Sequence, residues 1–420
     1  MTPIKELIQG ISGCECGREH RCPTQWVEIG SGVLERLTGY VKDYEKILLV
    51  ADQNTYVACG EEVAALLGNQ VERKLVYQTG DKPLIPNEEA LERLEAAVSA
   101  ETQLIVGVGS GVINDLCKQI GFQKELPYVI VATAPSMDGY TSVGSALILK
   151  GMKVTLTARP PMGIVADTRV LKSAPLDMIQ AGVGDIVGKY SCLNDWKLSA
   201  LVRGEYFCQR VYDLVMEAAQ TVESLAEAAV SRDEAALGAL MEALVAVGFE
   251  MSYVGNSRPA SGSEHHLSHF FEITGILDNR PYFSHGIDVV YSAVVTAAIR
   301  ERVLASKPQP FVFDREAWEA TIRRIYSTSA DEVIRLQDKM GWYREDGFAN
   351  VVEKWDAICA VLAEAPGREQ MLEMVKRIGL DYGEFEALYG KEKLHDAILY
   401  AKDLKDRYTV LWLAYQYCGR

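Results

Sequence analysis

Three histidines lie close together in the segment SGSEHHLSHFFE, and His285 follows later in the chain. His265 and His269 are spaced i, i+4, so on a helix they would share one face. Asp185 stands between glycines in GVGDIVGK. An Asp–His–His set leaves coordination positions open, as a catalytic metal requires. The pattern therefore indicates a metal site, with polar helix residues as the alternative explanation. His266 lies next to His265 and offers a second register for the same spacing.

A glycine-rich turn follows the apolar run LIVGV and precedes the helix-like segment GVINDLCKQIG. Gly107, Gly109 and Gly111 would leave backbone N–H groups open to an anion, and a helix N-terminus adds a positive dipole. This geometry suits a phosphate or pyrophosphate. The spacing is GxGSGxxxD rather than GxGxxG, so a tight turn between packed elements remains an alternative.

A second polar loop, ATAPSMDGYTS, follows the next predicted strand. Loops at the carboxyl ends of parallel strands bind ligands. Although one polar loop is usually only solvated, two neighbouring loops at one sheet edge favour a binding site. Its polar side chains are those of Thr133, Ser136, Asp138, Thr141 and Ser142.

Asp52 ends the predicted strand ILLVAD. A carboxylate there can accept hydrogen bonds from both hydroxyls of an adenosine ribose and would repel a 2′-phosphate. Asp52 therefore favours NAD over NADP. A helix N-cap or a turn is the alternative role.

A compact cluster of soft ligands lies near the N-terminus in CECGREHRC. It contains Cys14, Cys16, His20 and Cys22. Because Cys-x-Cys is tighter than the usual zinc spacing, the sequence favours thiols in a lid or a dimer-contact strand over a zinc site.

The elements that must position these residues change along the chain. The runs 46–51, 104–108 and 128–132 predict strands, with helices over 60–67 and 88–100 between them, which indicates a parallel sheet flanked by helices. Long helices are then predicted, and we place the domain boundary between 1–175 and 176–420. The predicted helices of the second part cover 205–230, 233–254, 287–302, 315–339 and 348–363.

Charge and composition exclude several classes of protein. The chain has 43 Lys and Arg against 58 Asp and Glu, a net charge of −15, which disfavours nucleic acid and anionic membranes as partners. No apolar run approaches the length of a membrane span, and the N-terminus lacks the apolar core of a signal peptide. The nine cysteines are odd in number and mostly scattered. We therefore expect reduced thiols in a cytoplasmic protein.

Taken together, GSGxxND, TAPSMDGYTS, GVGDIVGK, GSEHHLSH and SHG resemble the metal-dependent polyol dehydrogenases. That superfamily includes glycerol dehydrogenases, iron-containing alcohol dehydrogenases and, more distantly, 3-dehydroquinate synthases. The chain is most similar to the sn-glycerol-1-phosphate dehydrogenase family, in its bacterial arabinose-operon-type branch. SRPASGSEHHLSHFFE and APSMDGYTS are the most specific segments.

The resemblance implies an α/β fold like that of dehydroquinate synthase, with a Rossmann-like domain over 1–175 and an all-helical metal- and substrate-binding domain over 176–420. It implies NAD(P)-linked reduction of dihydroxyacetone phosphate to sn-glycerol 1-phosphate, with zinc or nickel polarising the carbonyl. It also implies a homodimer or larger homo-oligomer whose partner is a small phosphorylated substrate.

The resemblance also implies roles for individual residues. Asp185, His265 and His285 would hold the metal, with His265 chosen over His266 because His265-x3-His269 matches the family spacing. Asp138 and His269 would act in catalysis and, with Asp185, contact substrate. The dinucleotide would be lined by Gly111, Val112, Ile113, Asn114, Asp115, Thr133, Ala134, Pro135, Ser136 and Ser142.

A phosphorylated substrate needs a cation. Arg258, shortly before His265, could bind a phosphate bidentately, with a surface salt bridge as the alternative; Lys189 is the second candidate. Three other functions stay open: a lyase or cyclase like dehydroquinate synthase, a glycerol dehydrogenase, and a non-catalytic metabolite-binding protein. Arg258 argues against the second, and the intact Asp185–His265–His285 set argues against the third.

Overall fold

A computed structural model describes residues 1–149 and 152–419 of the chain. Its internal contacts group the chain into two compact units. The first unit comprises Met1–Ile186 and Asp213–Ser257, and the second comprises Val187–Tyr212 and Arg258–Arg420. These units do not follow a single cut in the sequence, and the functional division at residue 175 stays a prediction.

The first unit is built on a six-stranded parallel sheet in the order β1-β8-β5-β4-β2-β3, and a separate antiparallel pair joins β6 to β7. The predicted strands over 46–51, 104–108 and 128–132 are confirmed as β2, β4 and β5. Their Val-, Ile- and Leu-rich runs are almost wholly buried, as expected for a sheet covered on both faces. The strands are β1 Trp26–Gly30, β2 Ile47–Asp52, β3 Val71–Tyr77, β4 Leu104–Gly109, β5 Tyr128–Ala132, β6 Gly144–Leu149, β7 Met152–Thr157 and β8 Gly163–Asp167.

Helices cover most of the remaining described residues. The first eight are α1 Ile4–Gln9, α2 Leu37–Tyr40, α3 Gln53–Thr55, α4 Glu61–Leu67, α5 Glu88–Ala97, α6 Gly111–Gln123, α7 Thr168–Leu171 and α8 Leu176–Val187. They are followed by α9 Lys189–Arg203, α10 Gln209–Val230, α11 Glu234–Val254, α12 Ser263–Asp278, α13 His285–Leu304, α14 Arg315–Tyr326, α15 Ala330–Met340, α16 Phe348–Glu353, α17 Trp355–Leu362, α18 Arg368–Arg377, α19 Tyr382–Tyr400 and α20 Val410–Tyr417. The predicted fold class, a parallel-sheet part followed by a helical region, is confirmed.

Two of the long helices predicted from composition are wrong in extent. The segment 315–339 forms α14 and α15, because Ser327 between them adopts a left-handed backbone with φ of 44°. The segment 348–363 forms α16 and α17, which meet at Lys354 with φ of −95° and ψ of 6°. Neither break has a glycine or a proline at its centre, so helix propensity alone did not reveal it.

Helix α11 is long and apolar enough to cross a membrane, but 78% of its most apolar window is buried inside the protein. It packs within the first unit, where Gly248 allows a close approach. A Cβ atom at Gly248 would lie 2.2 Å from Oγ1 of Thr141. The apolar sequence of α11 is therefore explained by its place in the core, next to the loop that follows β5.

Candidate active site

The two polar loops predicted from the sequence are neighbours at the carboxyl edge of the sheet. Strands β4 and β5 pair in parallel, with Gly109 opposite Ala132. The N–H of Thr133 donates to the carbonyl of Gly109 over 3.1 Å. A Cβ atom at Gly109 would lie 2.6 Å from Ile113, so only glycine allows α6 to begin so soon after β4. The turn and the loop thus form one continuous edge.

The residues of this turn that are predicted to bind the dinucleotide differ in how exposed they are. Gly111 and Val112 are half-buried at the beginning of α6, whereas Ile113 and Asn114 are buried. The Asn114 Oδ1 accepts a 3.3 Å bond from the hydroxyl of Tyr128. The first two therefore offer backbone groups to a ligand, while the side chains of the next two are part of the packing.

Asp115 and Ser142 are tied together through Lys118, a residue that sequence reasoning missed. The Lys118 Nζ donates to the Gly139 carbonyl at 2.6 Å, the Ser142 Oγ at 3.1 Å and the Gly144 carbonyl at 3.0 Å. It also lies 3.7 Å from Asp115. Burial lowers the pKa of Lys118 and raises that of Asp115. This buried cation fixes the shape of the loop after β5.

The middle of that loop lies directly against α8. A Cβ atom at Gly182 would lie 1.8 Å from the Pro135 carbonyl oxygen, so the GVGD segment can pack here only with glycine at that position. Three residues later, the buried Asp185 accepts a hydrogen bond over 3.0 Å from the backbone N–H of Asp138. The structure therefore brings together Asp138 and Asp185, two of the predicted site residues, within the first unit.

The three predicted histidines form a cluster within the second unit, on α12 and the first turn of α13. The ring centroids of His265 and His285 are 5.0 Å apart. The ring centroid of His269 lies 5.9 Å from that of His265 and 5.5 Å from that of His285. One ring nitrogen of His265 lies within 4.8 Å of one of His285. That spacing suits two imidazoles that share one divalent ion.

Glu264, which sequence reasoning also missed, orients His265. Its Oε1 lies 2.7 Å from Nδ1 of His265 and also accepts from the N–H of Gly262 at 2.9 Å. Burial raises the pKa of this carboxyl to about 7. A carboxylate on Nδ1 fixes the tautomer and leaves Nε2 for a metal, which is the usual outer partner of a metal-binding histidine. The adjacent Glu–His pair in the sequence was the available signal.

The cluster contains His265 rather than the neighbouring His266. His266 is fully buried, and desolvation lowers its pKa well below the ordinary value, with further lowering by Arg407, Lys405 and Arg258. Neither of its ring nitrogens has a hydrogen-bond partner among the described residues. The geometry therefore favours the predicted register, with His265 in the cluster.

One guanidinium nitrogen of Arg258 is engaged within the second unit, and the role of this residue as the phosphate ligand stays a prediction. Its side chain is only 2% exposed, and its Nη2 lies 3.0 Å from the Glu205 carboxylate and donates to the carbonyls of Asp195 and Tyr408. These are internal contacts within the second unit, rather than the surface salt bridge considered as the alternative. Lys189 is also buried, and its Nζ donates to the Ala260 carbonyl over 3.1 Å. Both cations hold the segment before α12 in place.

Asp52 caps α3, as its alternative role predicted. Its Oδ1 accepts from the N–H groups of Asn54 and Thr55 at 2.8 Å and 2.9 Å. Both bonds go to the same oxygen, which leaves Oδ2 for a ribose hydroxyl. The two roles are therefore compatible, and the ribose contact stays a prediction.

Comparison with known proteins identifies the family and the fold of the chain. Residues 28–175 match the family model for iron-containing alcohol dehydrogenases. The chain is 33% identical to a glycerol-1-phosphate dehydrogenase (NAD(P)+) of Halalkalibacterium halodurans, over 73% of this chain and 79% of that protein. It is 30% identical to the glycerol-1-phosphate dehydrogenase (NAD(P)+) of Bacillus licheniformis, over 99% of this chain and 94% of that protein. The iron-containing alcohol dehydrogenase of Thermococcus thioreducens has the same fold, with a TM-score of 0.62 and 16% identity over 94% of this chain and 99% of that one.

Proposed function

Because this chain belongs to the glycerol-1-phosphate dehydrogenase family and is an NAD(P)-linked oxidoreductase, we propose that it reduces dihydroxyacetone phosphate to sn-glycerol 1-phosphate. The main structural support is the histidine cluster on α12 and α13, with Glu264 holding one of its rings. The family relatives bear the name of this activity, and the cluster supplies residues suited to its chemistry.

Asp185, His265 and His285 are the proposed ligands of a divalent ion, zinc or nickel. The donor set fits such an ion, because Glu264 directs the Nε2 of His265 away from itself. An ion bound there would act as a Lewis acid on the substrate carbonyl. The edge formed by the β4–α6 turn and the loop after β5 is the proposed dinucleotide site, and the dinucleotide would supply the hydride.

His269 is the proposed proton donor. It lies on the same face of α12 as His265 and is only half-buried, so it can exchange protons with solvent. An imidazole titrates near neutral pH and can donate to an alkoxide as it forms. Asp138, which the loop holds next to Asp185, is the proposed second contact with substrate.

The deciding experiment is an NADH-oxidation assay with dihydroxyacetone phosphate, run on metal-free and metal-restored enzyme with chiral analysis of the product. Steady, metal-dependent consumption of NADH with sn-glycerol 1-phosphate as product is expected. A lyase or cyclase would consume no net NADH, and a glycerol dehydrogenase would favour the unphosphorylated ketone.

Asp52→Asn should narrow the preference for NADH over NADPH about tenfold, because it removes a carboxylate that repels a 2′-phosphate. Asparagine is an equally good helix N-cap, so α3 should persist. The measurement is kcat/KM with each cofactor at one ionic strength. An unchanged ratio would place Asp52 away from the ribose.

Glu264→Gln should weaken metal binding about 10- to 100-fold, since the amide holds Nδ1 of His265 less strongly and without charge. Metal affinity is measured by competition with a chelator, and a circular dichroism spectrum checks the fold. Equal affinity in variant and parent would contradict the orienting role. The exposed Glu386→Gln, on α19, is the matched control and should leave metal affinity unchanged.

A further inference from the structure

The N-terminal cluster contains a second group of metal-binding side chains. Cys14, Cys16 and His20 each offer a ligand atom, and these atoms lie within 4.8 Å of one another. The Cys16 Sγ lies 3.3 Å from Nε2 of His20. Zinc bonded to a thiolate and an imidazole at its usual distances places those two atoms about 3.6 Å apart. The observed spacing is therefore close to one edge of a zinc tetrahedron.

The backbone of this loop makes the short Cys-x-Cys spacing workable. Residues Ile11 and His20 form an antiparallel bridge that closes the loop, and Gly17 donates to the Cys14 carbonyl over 2.8 Å. Gly13 and Gly17 have φ of 64° and 79°, a left-handed conformation that glycine adopts without strain. The chain thus turns tightly on both sides of the two cysteines and directs both towards the histidine.

The tautomer of His20 also suits a ligand. Its Nδ1 lies 3.0 Å from the Tyr253 carbonyl, which can only accept a hydrogen bond. Nδ1 is therefore the protonated nitrogen, and the lone pair of Nε2 faces Cys16. A backbone carbonyl on the second nitrogen is a frequent outer partner of zinc-binding histidines. His20 is fully buried, whereas the two cysteines are half-buried and accessible to an ion.

Cys22, the fourth member of the sequence cluster, does not belong to this group. Its thiol is buried and lies 3.6 Å from Oγ1 of Thr24 and 3.9 Å from the carbonyl of Thr141. Its sulfur is not among the ligand atoms that lie within 4.8 Å of one another in this group. Cys22 is therefore a natural control for the other two cysteines.

From this geometry we propose that Cys14, Cys16 and His20 bind a structural zinc ion separate from the catalytic metal. Two thiolates and one imidazole are the donors that zinc prefers, and one further ligand from outside the loop would complete the tetrahedron. Since His20 is bonded to the end of α11 through Tyr253, the ion would fasten the N-terminal loop to the core of the first unit.

The test is cobalt substitution of the full-length protein. Cobalt bound to thiolate gives an intense near-ultraviolet charge-transfer band, and the proposed catalytic ligands include no thiolate, so the band reports this loop alone. We expect the band in the parent and in Cys22→Ser, and its loss in Cys14→Ser and Cys16→Ser. Zinc content should fall by about one ion per chain in the latter two variants.

Absence of the band from the cobalt-loaded parent, or its persistence in both Cys14→Ser and Cys16→Ser, would overturn the proposal. Circular dichroism and analytical gel filtration on the variants separate loss of metal from loss of fold. If a variant does not fold, titration of cobalt-loaded parent with a thiol-specific reagent gives the answer. The band should decay as Cys14 and Cys16 react, and peptide mapping separates their modification from that of the half-buried Cys359 and Cys418. The outcome is independent of NADH oxidation, so it does not depend on the proposed activity.

Discussion

His285→Ala is expected to remove the bound catalytic metal and to reduce NADH-dependent turnover roughly 1,000-fold or more. Lewis-acid stabilisation of a carbonyl oxygen contributes several kcal/mol, and a ligand set of one Asp and two His has no spare member. His285 is the first residue of α13 and is only half-buried, so the truncation should leave the helix intact. The measurements are metal content, kcat and thermal unfolding on the same preparation.

His395→Ala is the matched control for this loss, because His395 is exposed on α19 and belongs to no cluster in the described residues. It should keep full metal content and activity. A second comparison tests the register: His265→Ala should lose metal, whereas His266→Ala should keep it. Full activity in His285→Ala, or metal loss confined to His266→Ala, would contradict the proposed ligand set.

The sequence predicts the sheet well because its strands are short apolar runs between polar or glycine residues. The runs at 104–108 and 128–132 become β4 and β5, and the polar loops that follow them meet at one edge. The i, i+4 spacing of His265 and His269 likewise predicts their common face. Features of this kind can be predicted from sequence because they follow from the periodicity of the local backbone and not from contacts with distant residues.

Other features depend on contacts between residues far apart in sequence, and no local pattern reveals them. Lys118 appears in the sequence as an ordinary polar residue of a helix, yet it is wholly buried beneath the loop after β5. The position of Arg258 before the histidines predicts a contact with substrate, but in the structure its Nη2 contacts the Glu205 carboxylate and two backbone carbonyls. In both cases the partner of a buried cation decides its role, and that partner is known only from the fold.

A phosphorylated substrate requires a local cation in its binding site. The net charge of the chain is −15, and the overall electrostatic field would therefore repel a dianion. Arg407 is the proposed local cation. It is half-buried, and its Nη1 donates over 3.2 Å to the carbonyl of Ser261, just before α12. Burial and the neighbouring Arg258 lower its pKa to about 10. Asp406 and Glu205 act on this pKa in the opposite direction, so the case for Arg407 rests on its half-exposed position beside the segment that precedes α12.

Arg407→Ala should therefore lower kcat/KM for dihydroxyacetone phosphate about 10- to 150-fold, the loss of a charge-assisted contact of roughly 1.5–3 kcal/mol. The loss with unphosphorylated dihydroxyacetone should be much smaller, since that ketone never uses the contact. Arg258→Ala is the matched comparison. It should impair turnover of both substrates equally, because it removes internal contacts that hold the segment before α12. Assays of both variants with both ketones at one ionic strength give four values of kcat/KM. If the phosphate-specific loss appears with Arg258→Ala and not with Arg407→Ala, Arg258 binds the phosphate. Its contacts with Glu205 and the two carbonyls must then rearrange when substrate binds.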